Sequence, residues 1–202
     1  VNWTVGGNEV STANPYTFKV EADLALVANF KATAVEPEPE PVEVTVFDID
    51  LGTKGKVDTF AIADVAGSGT WKYARTTTNM RTEMKGANSE DWLITPALDL
   101  TGMLEASLNF KYKFSAAIPT ENQHQYTVLI SNDYDGNVAN VNNATWIEIK
   151  GFPYDVTAYA ESGLLSIPAE MLVGTCHIAW KYKTADTAHT WSLKNITVKG
   201  MK

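Results

Sequence analysis

Leu104-Glu105-Ala106-Ser107-Leu108-Asn109-Phe110-Lys111-Tyr112-Lys113-Phe114 decides how this chain folds. Leu104, Ala106, Leu108, Phe110, Tyr112 and Phe114 fall on one side of an extended backbone, and Glu105, Ser107, Asn109, Lys111 and Lys113 on the other. Successive side chains of a strand point to opposite faces of its sheet. The stretch therefore predicts a strand with one face in a core and one in water. Such half-wet strands belong to antiparallel sheets, because parallel sheets are covered on both faces.

The same alternation runs outward from it. Phe47, Ile49 and Leu51 alternate with Asp48 and Asp50, and Tyr126, Val128 and Ile130 make a further strand before a turn at 132–137. Cys176, Ile178, Trp180 and Tyr182 alternate with His177, Ala179, Lys181 and Lys183. Near the end Trp191 and Leu193 share one phase while Ile196 and Val198 take the other, so a β-bulge is predicted at Lys194-Asn195. Helical period is absent apart from a single turn expected over 168–172. Many short strands with polar outer faces predict an all-β domain, two antiparallel sheets packed as a jelly-roll sandwich.

Charge marks the boundary of that domain. Of a net charge of −8, residues 1–34 carry −1, residues 35–43 carry −4 and residues 44–202 carry −3. The short acidic stretch reads Glu36-Pro37-Glu38-Pro39-Glu40-Pro41, and alternating proline predicts an extended polyproline spacer of roughly 20–30 Å. Before it, residues 1–34 predict a small β appendage. Trp3 and Val5 lead into a Gly6-Gly7-Asn8 turn, Tyr16, Phe18 and Val20 form one strand, and Leu24, Leu26, Ala28 and Phe30 form another. So few strands bury too little surface to stand alone, which suggests the tail of a longer unit begun upstream.

Composition narrows the function. Apolar residues make up 45% of the 202, which excludes a disordered chain. The acidic balance argues against a nucleic-acid partner, which requires clustered Lys and Arg. A single cysteine, Cys176, excludes a disulfide scaffold and any multi-cysteine metal site. No apolar run approaches the ~20 residues of a membrane-spanning helix. His124, His177 and His189 fall in no recognisable catalytic pattern, and no enzyme is expected.

Two kinds of binding remain. Sugar rings stack on exposed aromatics beside polar groups, and Trp71, Tyr73 and Arg75 follow a glycine-rich loop, with Trp146 as a second platform. The structural alternative is that these rings pack the core or its rim. Asp48 and Asp50 lie about 6–7 Å apart on one strand face, a spacing from which oxygen-rich Ca²⁺ sites are built, with Asp91 as third ligand. An exposed polar face is the alternative. Asp133-Tyr134-Asp135-Gly136-Asn137 imitates the start of an EF-hand loop but has Ala144 where its closing Glu belongs, so it reads as a turn.

Asp91-Trp92-Leu93-Ile94-Thr95-Pro96-Ala97-Leu98-Asp99-Leu100 resembles the signature of the cleaved-adhesin or choice-of-anchor J jelly rolls of Bacteroidetes surface proteins. The Gly-rich loop before Trp71, the Val128–Tyr134 strand and turn, Trp146, and the closing Ile178–Tyr182 and Trp191-x-Leu193 stretches keep the family's order over roughly 44–199. Residues 3–30 are similar to the end of an internalin-B-type B repeat. The resemblance implies a noncatalytic, monomeric adhesion module displayed at the cell surface or secreted, recognising glycan or a host matrix protein, or else a structural spacer. It also implies structural Ca²⁺. Lys194 stands where the family's closing W-x-x-D motif has its acid, which counts against that ion, although Asn195 offers an oxygen.

Overall fold

The computed structural model describes residues 2–32, 38–83, 88–184 and 189–202. The chain divides into two compact units, Val1–Glu40 and Pro41–Lys202. The division falls inside the acidic proline stretch, of which Glu36 and Pro37 lie outside the described residues. No described helix is long and apolar enough to cross a membrane.

The first unit is a three-stranded antiparallel sheet: β1 (Asn2–Val5), β2 (Asn8–Ser11) and β3 (Leu26–Asn29), with β1 in the middle. Gly6 and Gly7 take φ of +56° and +85°, the left-handed backbone that a two-residue hairpin needs. The strand expected at Tyr16–Val20 does not form. Its aromatics find ring partners instead of a sheet: Tyr16 lies 6.0 Å from Trp3 and 5.3 Å from Phe18. Phe30 remains 73% exposed and Val20 69%, so this sheet has no closed core of its own.

The second unit is a sandwich of antiparallel strands. Its first sheet contains β4 (Glu43–Asp50), β6 (Thr70–Ala74), β7 (Asn79–Glu83), β10 (Glu105–Phe114), β13 (Ala160–Glu161), β14 (Leu165–Ser166) and β16 (Trp191–Met201). The second contains β5 (Ala61–Ala66), β8 (Glu90–Ile94), β9 (Leu98–Asp99), β11 (Tyr126–Ser131), β12 (Ile147–Ile149) and β15 (Thr175–Lys183). Along β4 to β11 the chain crosses repeatedly between the sheets, as a jelly roll does. Among the described residues helical structure is confined to segments of three to six residues, one of them at Ala169–Met171.

Between the sheets lies one aromatic-rich core. Leu108, Phe110, Tyr112 and Phe114 of β10 meet Val128 and Ile130 of β11 and Ile178, Trp180 and Tyr182 of β15, all fully buried. Phe110 stands edge-on to Trp180 at 5.5 Å, the offset geometry that aromatic pairs prefer. Leu104, expected in the same stripe, lies ahead of β10 and is 67% exposed, so the buried face begins at Ala106.

The bulge appears where the change of phase put it. Phe110 pairs with Ile196 and Tyr112 with Leu193, so Lys194 and Asn195 together face the single residue Lys111. A little further on, β10 and β16 approach so closely at Gly200 that an added Cβ would sit 2.7 Å from the backbone oxygen of Glu105. Gly200→Ala is expected to destabilise the domain by about 1–3 kcal/mol. Thermal unfolding checks this, at roughly 2–4 °C of Tm per kcal/mol. An unchanged Tm would mean that the strand pair yields at that point.

One expectation about the faces fails. The outer face of the second sheet is not wholly polar: Ala63, Trp92, Ile94 and Ala179 form a second apolar cluster there with Tyr134 and Val141. The segment 132–146 folds back over it. Asp133 fastens this segment, accepting hydrogen bonds from the Ser131 hydroxyl at 2.7 Å and the Thr145 amide at 2.8 Å.

Candidate functional site

The four aromatic and cationic residues expected to bind sugar do not converge. Trp71 is 1% exposed and packs in the inter-sheet core, 5.8 Å from Trp191, so it presents no face to a ligand. Tyr73 is half-buried, with its hydroxyl donating to the Gly52 carbonyl at 2.8 Å. Trp146 belongs to the other sheet's outer cluster. It lies 5.2 Å from Trp92 and 5.4 Å from Tyr134, and its indole N–H donates to the Val141 carbonyl. Arg75 alone is exposed, in the turn between β6 and β7.

The three expected Ca²⁺ ligands are likewise apart. Asp48 and Asp50 lie on exposed positions of β4, paired with Thr197 and Asn195 of β16. Asp50 Oδ1 accepts from the Gly52 amide at 2.7 Å. Asp91 is in the second sheet, 1% exposed. Among the described residues no three acidic, His or Cys side chains form a group able to hold a metal ion. Lys194 lines the depression that contains Asp50 and Asn195, and an ammonium there repels a cation. These residues do not fit Ca²⁺.

Asp91 has a different setting. It faces Asp64 across the β5–β8 pair, and neither of its oxygens has a hydrogen-bond partner among the described residues. Burial, and after it the neighbouring Asp64 charge, pushes its pKa up to about 7. Glu90, next along the strand, points the other way and is bridged by Lys181 at 2.9 Å and Lys183 at 2.7 Å. Burial opposes its ionisation, but the two ammoniums prevail and its pKa is lowered.

Nucleophile chemistry finds no support in the remaining reactive groups. Burial raises the Cys176 thiol to about 12, far from a thiolate. His177 Nδ1 lies 2.9 Å from the Thr95 carbonyl, and the ring stands edge-on to Tyr134.

What the fold does gather is a set of cations on the outer face of the first sheet. Register aligns Lys113, Ser192, Arg81 and Lys72 in one row across β10, β16, β7 and β6. Neighbouring strands are about 4.8 Å apart, so the row spans roughly 15 Å. Lys111 and Lys194 occupy the next row, at the bulge. Lys72 is paired with Glu83, and Lys111 with Glu161 at 3.9 Å. Arg81, Lys113 and Lys194 have no ion-pair partner among the described residues.

Tyr159 organises this surface. It immediately precedes β13, the edge strand beside β10. The Lys194 and Lys113 ammoniums lie 4.7 and 5.1 Å from its ring centroid, and its hydroxyl accepts a hydrogen bond from Asn79 Nδ2. Cation–π attraction of about 0.5–1 kcal/mol each holds two like charges close together in spite of their repulsion. Sequence alternation had put Lys111 and Lys113 on this face. Nothing in the sequence pointed to Arg81 or Tyr159, because cross-strand register brings them in.

No family model matches the chain, and no curated protein matches it. Among solved structures it is similar to the cleaved adhesin domains that Asp91–Leu100 resembles in sequence. The K1 domain of Lys-gingipain from Porphyromonas gingivalis is 16% identical, with 79% of this chain and 98% of that chain covered and a TM-score of 0.44. The K2 domain of Lys-gingipain is 14% identical, with 78% and 99% covered and a TM-score of 0.47. A Clostridium thermocellum xylanase containing CBM22-1 and GH10 modules is 9% identical over 77% of this chain and 28% of that one, with a TM-score of 0.45.

Proposed function

We propose that residues 41–202 form a noncatalytic extracellular binding module that recognises carbohydrate through the outer face of the first sheet. One observation carries the reading: Tyr159, Lys113 and Lys194 place several fixed hydrogen-bond donors on one open sheet surface, with the buried Asn79 side chain anchoring the Tyr159 hydroxyl from beneath. A flat row of donors suits the hydroxyls of an extended polymer, and a rigid sheet keeps them ordered before the ligand arrives. Display outside the cell belongs to the same reading, together with the Pro/Glu spacer ahead of the module.

A glycan and matrix-protein binding screen tests it, repeated with calcium and with chelator. Tyr159→Ala is expected to weaken glycan binding at least tenfold, while Trp146→Ala leaves it within about twofold, both variants being checked for folding by circular dichroism. Loss of binding in Trp146→Ala alone would move the site to the second sheet. Silence of the wild-type protein towards every glycan and matrix protein would favour a spacer domain, and binding abolished by chelator would restore a cation to the site.

A further inference from the structure

We infer that the ligand of this face carries anionic groups, and that Arg81 and Lys113 hold a sulfate or carboxylate of an acidic polysaccharide. The inference rests on the carbohydrate reading and sharpens it. Its first ground is charge placement. The protein is strongly acidic at −8, yet the two adjacent rows on this sheet face contain five cations, three of them without an ion-pair partner among the described residues. A surface that concentrates cations against the overall charge attracts anions locally.

The second ground is a pocket beside the first of those rows. Thr77, Arg81, Lys113, Ser115, Thr190 and Ser192 line a hollow of about 190 Å³, and none of its lining residues is a carboxylate. Two guanidinium or ammonium donors among four hydroxyls suit an oxyanion and disfavour a cation. The walls are already fixed: the Thr190 amide donates to Ser115 Oγ at 3.0 Å, and the Thr77 hydroxyl donates to Asn79 Oδ1 at 3.1 Å.

The third ground is a donor left over. Arg81 Nε is buried and has no hydrogen-bond partner among the described residues. A buried N–H of a charged group is costly to leave without an acceptor, and an oxyanion bound beside the guanidinium would offset that cost through its charge, without reaching Nε itself. Beside it, the more open depression at Lys111, Tyr159, Lys194 and Asn195 also contains the Asp50 carboxylate, so it suits a sugar ring and its hydroxyls, with the anion held in the carboxylate-free pocket. Acidic peptides and nucleic acids carry anions too. The hydroxyl-rich lining and the small number of unpaired cations, three, favour a polysaccharide with spaced charges over a densely charged strand.

Titration calorimetry with intact protein tests the assignment, using heparin and chondroitin sulfate for sulfate, hyaluronan and polygalacturonate for carboxylate, and dextran and mannan as neutral polymers. At least one anionic polymer is expected to bind ten times more tightly than either neutral one, with affinity falling as NaCl rises from 50 to 500 mM. Sulfated against uronate-only polymers shows which anion is held. Arg81→Gln and the more superficial Lys113→Gln should each reduce anionic binding at least fivefold, whereas Lys150→Gln should not. Neutral polymers binding as well as anionic ones, without salt dependence, would overturn the inference and leave the carbohydrate reading standing. Anionic binding untouched by Lys113→Gln would overturn the site. Polyglutamate or oligo-dT binding as tightly as the best glycan would make this a general polyanion surface and overturn the ligand class. No binding to any polysaccharide would defeat the parent reading itself.

Discussion

Trp180→Ala is expected to lower the unfolding free energy by about 3–5 kcal/mol, a large part of the roughly 5–15 kcal/mol available to a domain of this size. Trp180 is fully buried in the middle of β15, opposite Leu93 on one side and Val128 on the other, with Phe110 edge-on from the facing sheet. Removing the indole leaves a cavity that strands on both sides hold open. The ring contacts of Phe110 with Phe152 and Tyr112 limit how far that side chain can move into the space. Urea unfolding measures the loss, with Val173→Ala as control, since Val173 is 75% exposed and should change stability by less than about 0.5 kcal/mol. A loss below 1 kcal/mol in Trp180→Ala would mean that the two sheets do not close on each other as described.

Asp91→Asn is expected to stabilise the protein at pH 8, by about 2 kcal/mol, and to do little at pH 4. Asp91 has a folded-state pKa of about 7 against an ordinary value of 3.8. Its neutral form is the one the fold prefers. The wild-type protein therefore keeps full stability from this group below pH 3.8 and loses it progressively as pH rises to about 7, after which the penalty is constant. Asparagine has the shape of the protonated acid and no charge, so the variant escapes that decline. Glu90 works in the opposite sense: its pKa is lowered, so its contribution is present above pH 4.5 and lost below it, which meets the window that Asp91 controls only at its acid end. Chemical denaturation between pH 4 and pH 8 separates the two. Parallel curves for wild type and Asp91→Asn across that range would show that the buried carboxyl is not held neutral.

Both expectations concern the body of the sandwich, and most of that body could be anticipated from alternation. Ala106 to Phe114 and Cys176 to Tyr182 bury the residues that period two assigns to the core, and the phase change after Leu193 became the bulge opposite Lys111. Burial of every second side chain is a local, repeating constraint, so it leaves its mark on each strand separately. Alternation misled where no sheet was at hand to receive a strand, as at Tyr16 to Val20, and where a loop returned over a face, as 132–146 does over Trp92.

The binding face was mostly beyond such reading. Trp71 and Trp146 look alike in sequence, but one fills the inter-sheet core and the other holds down a loop on the opposite side of the domain. Lys113, Arg81 and Tyr159 come from three separated segments, and only the antiparallel pairing of β10 with β16 and β13, and of β16 with β7, brings them together. A linear pattern records which face a side chain takes within its own strand. Its neighbours across the sheet are set by the pairing and register of distant strands, and these are decided when the whole core closes.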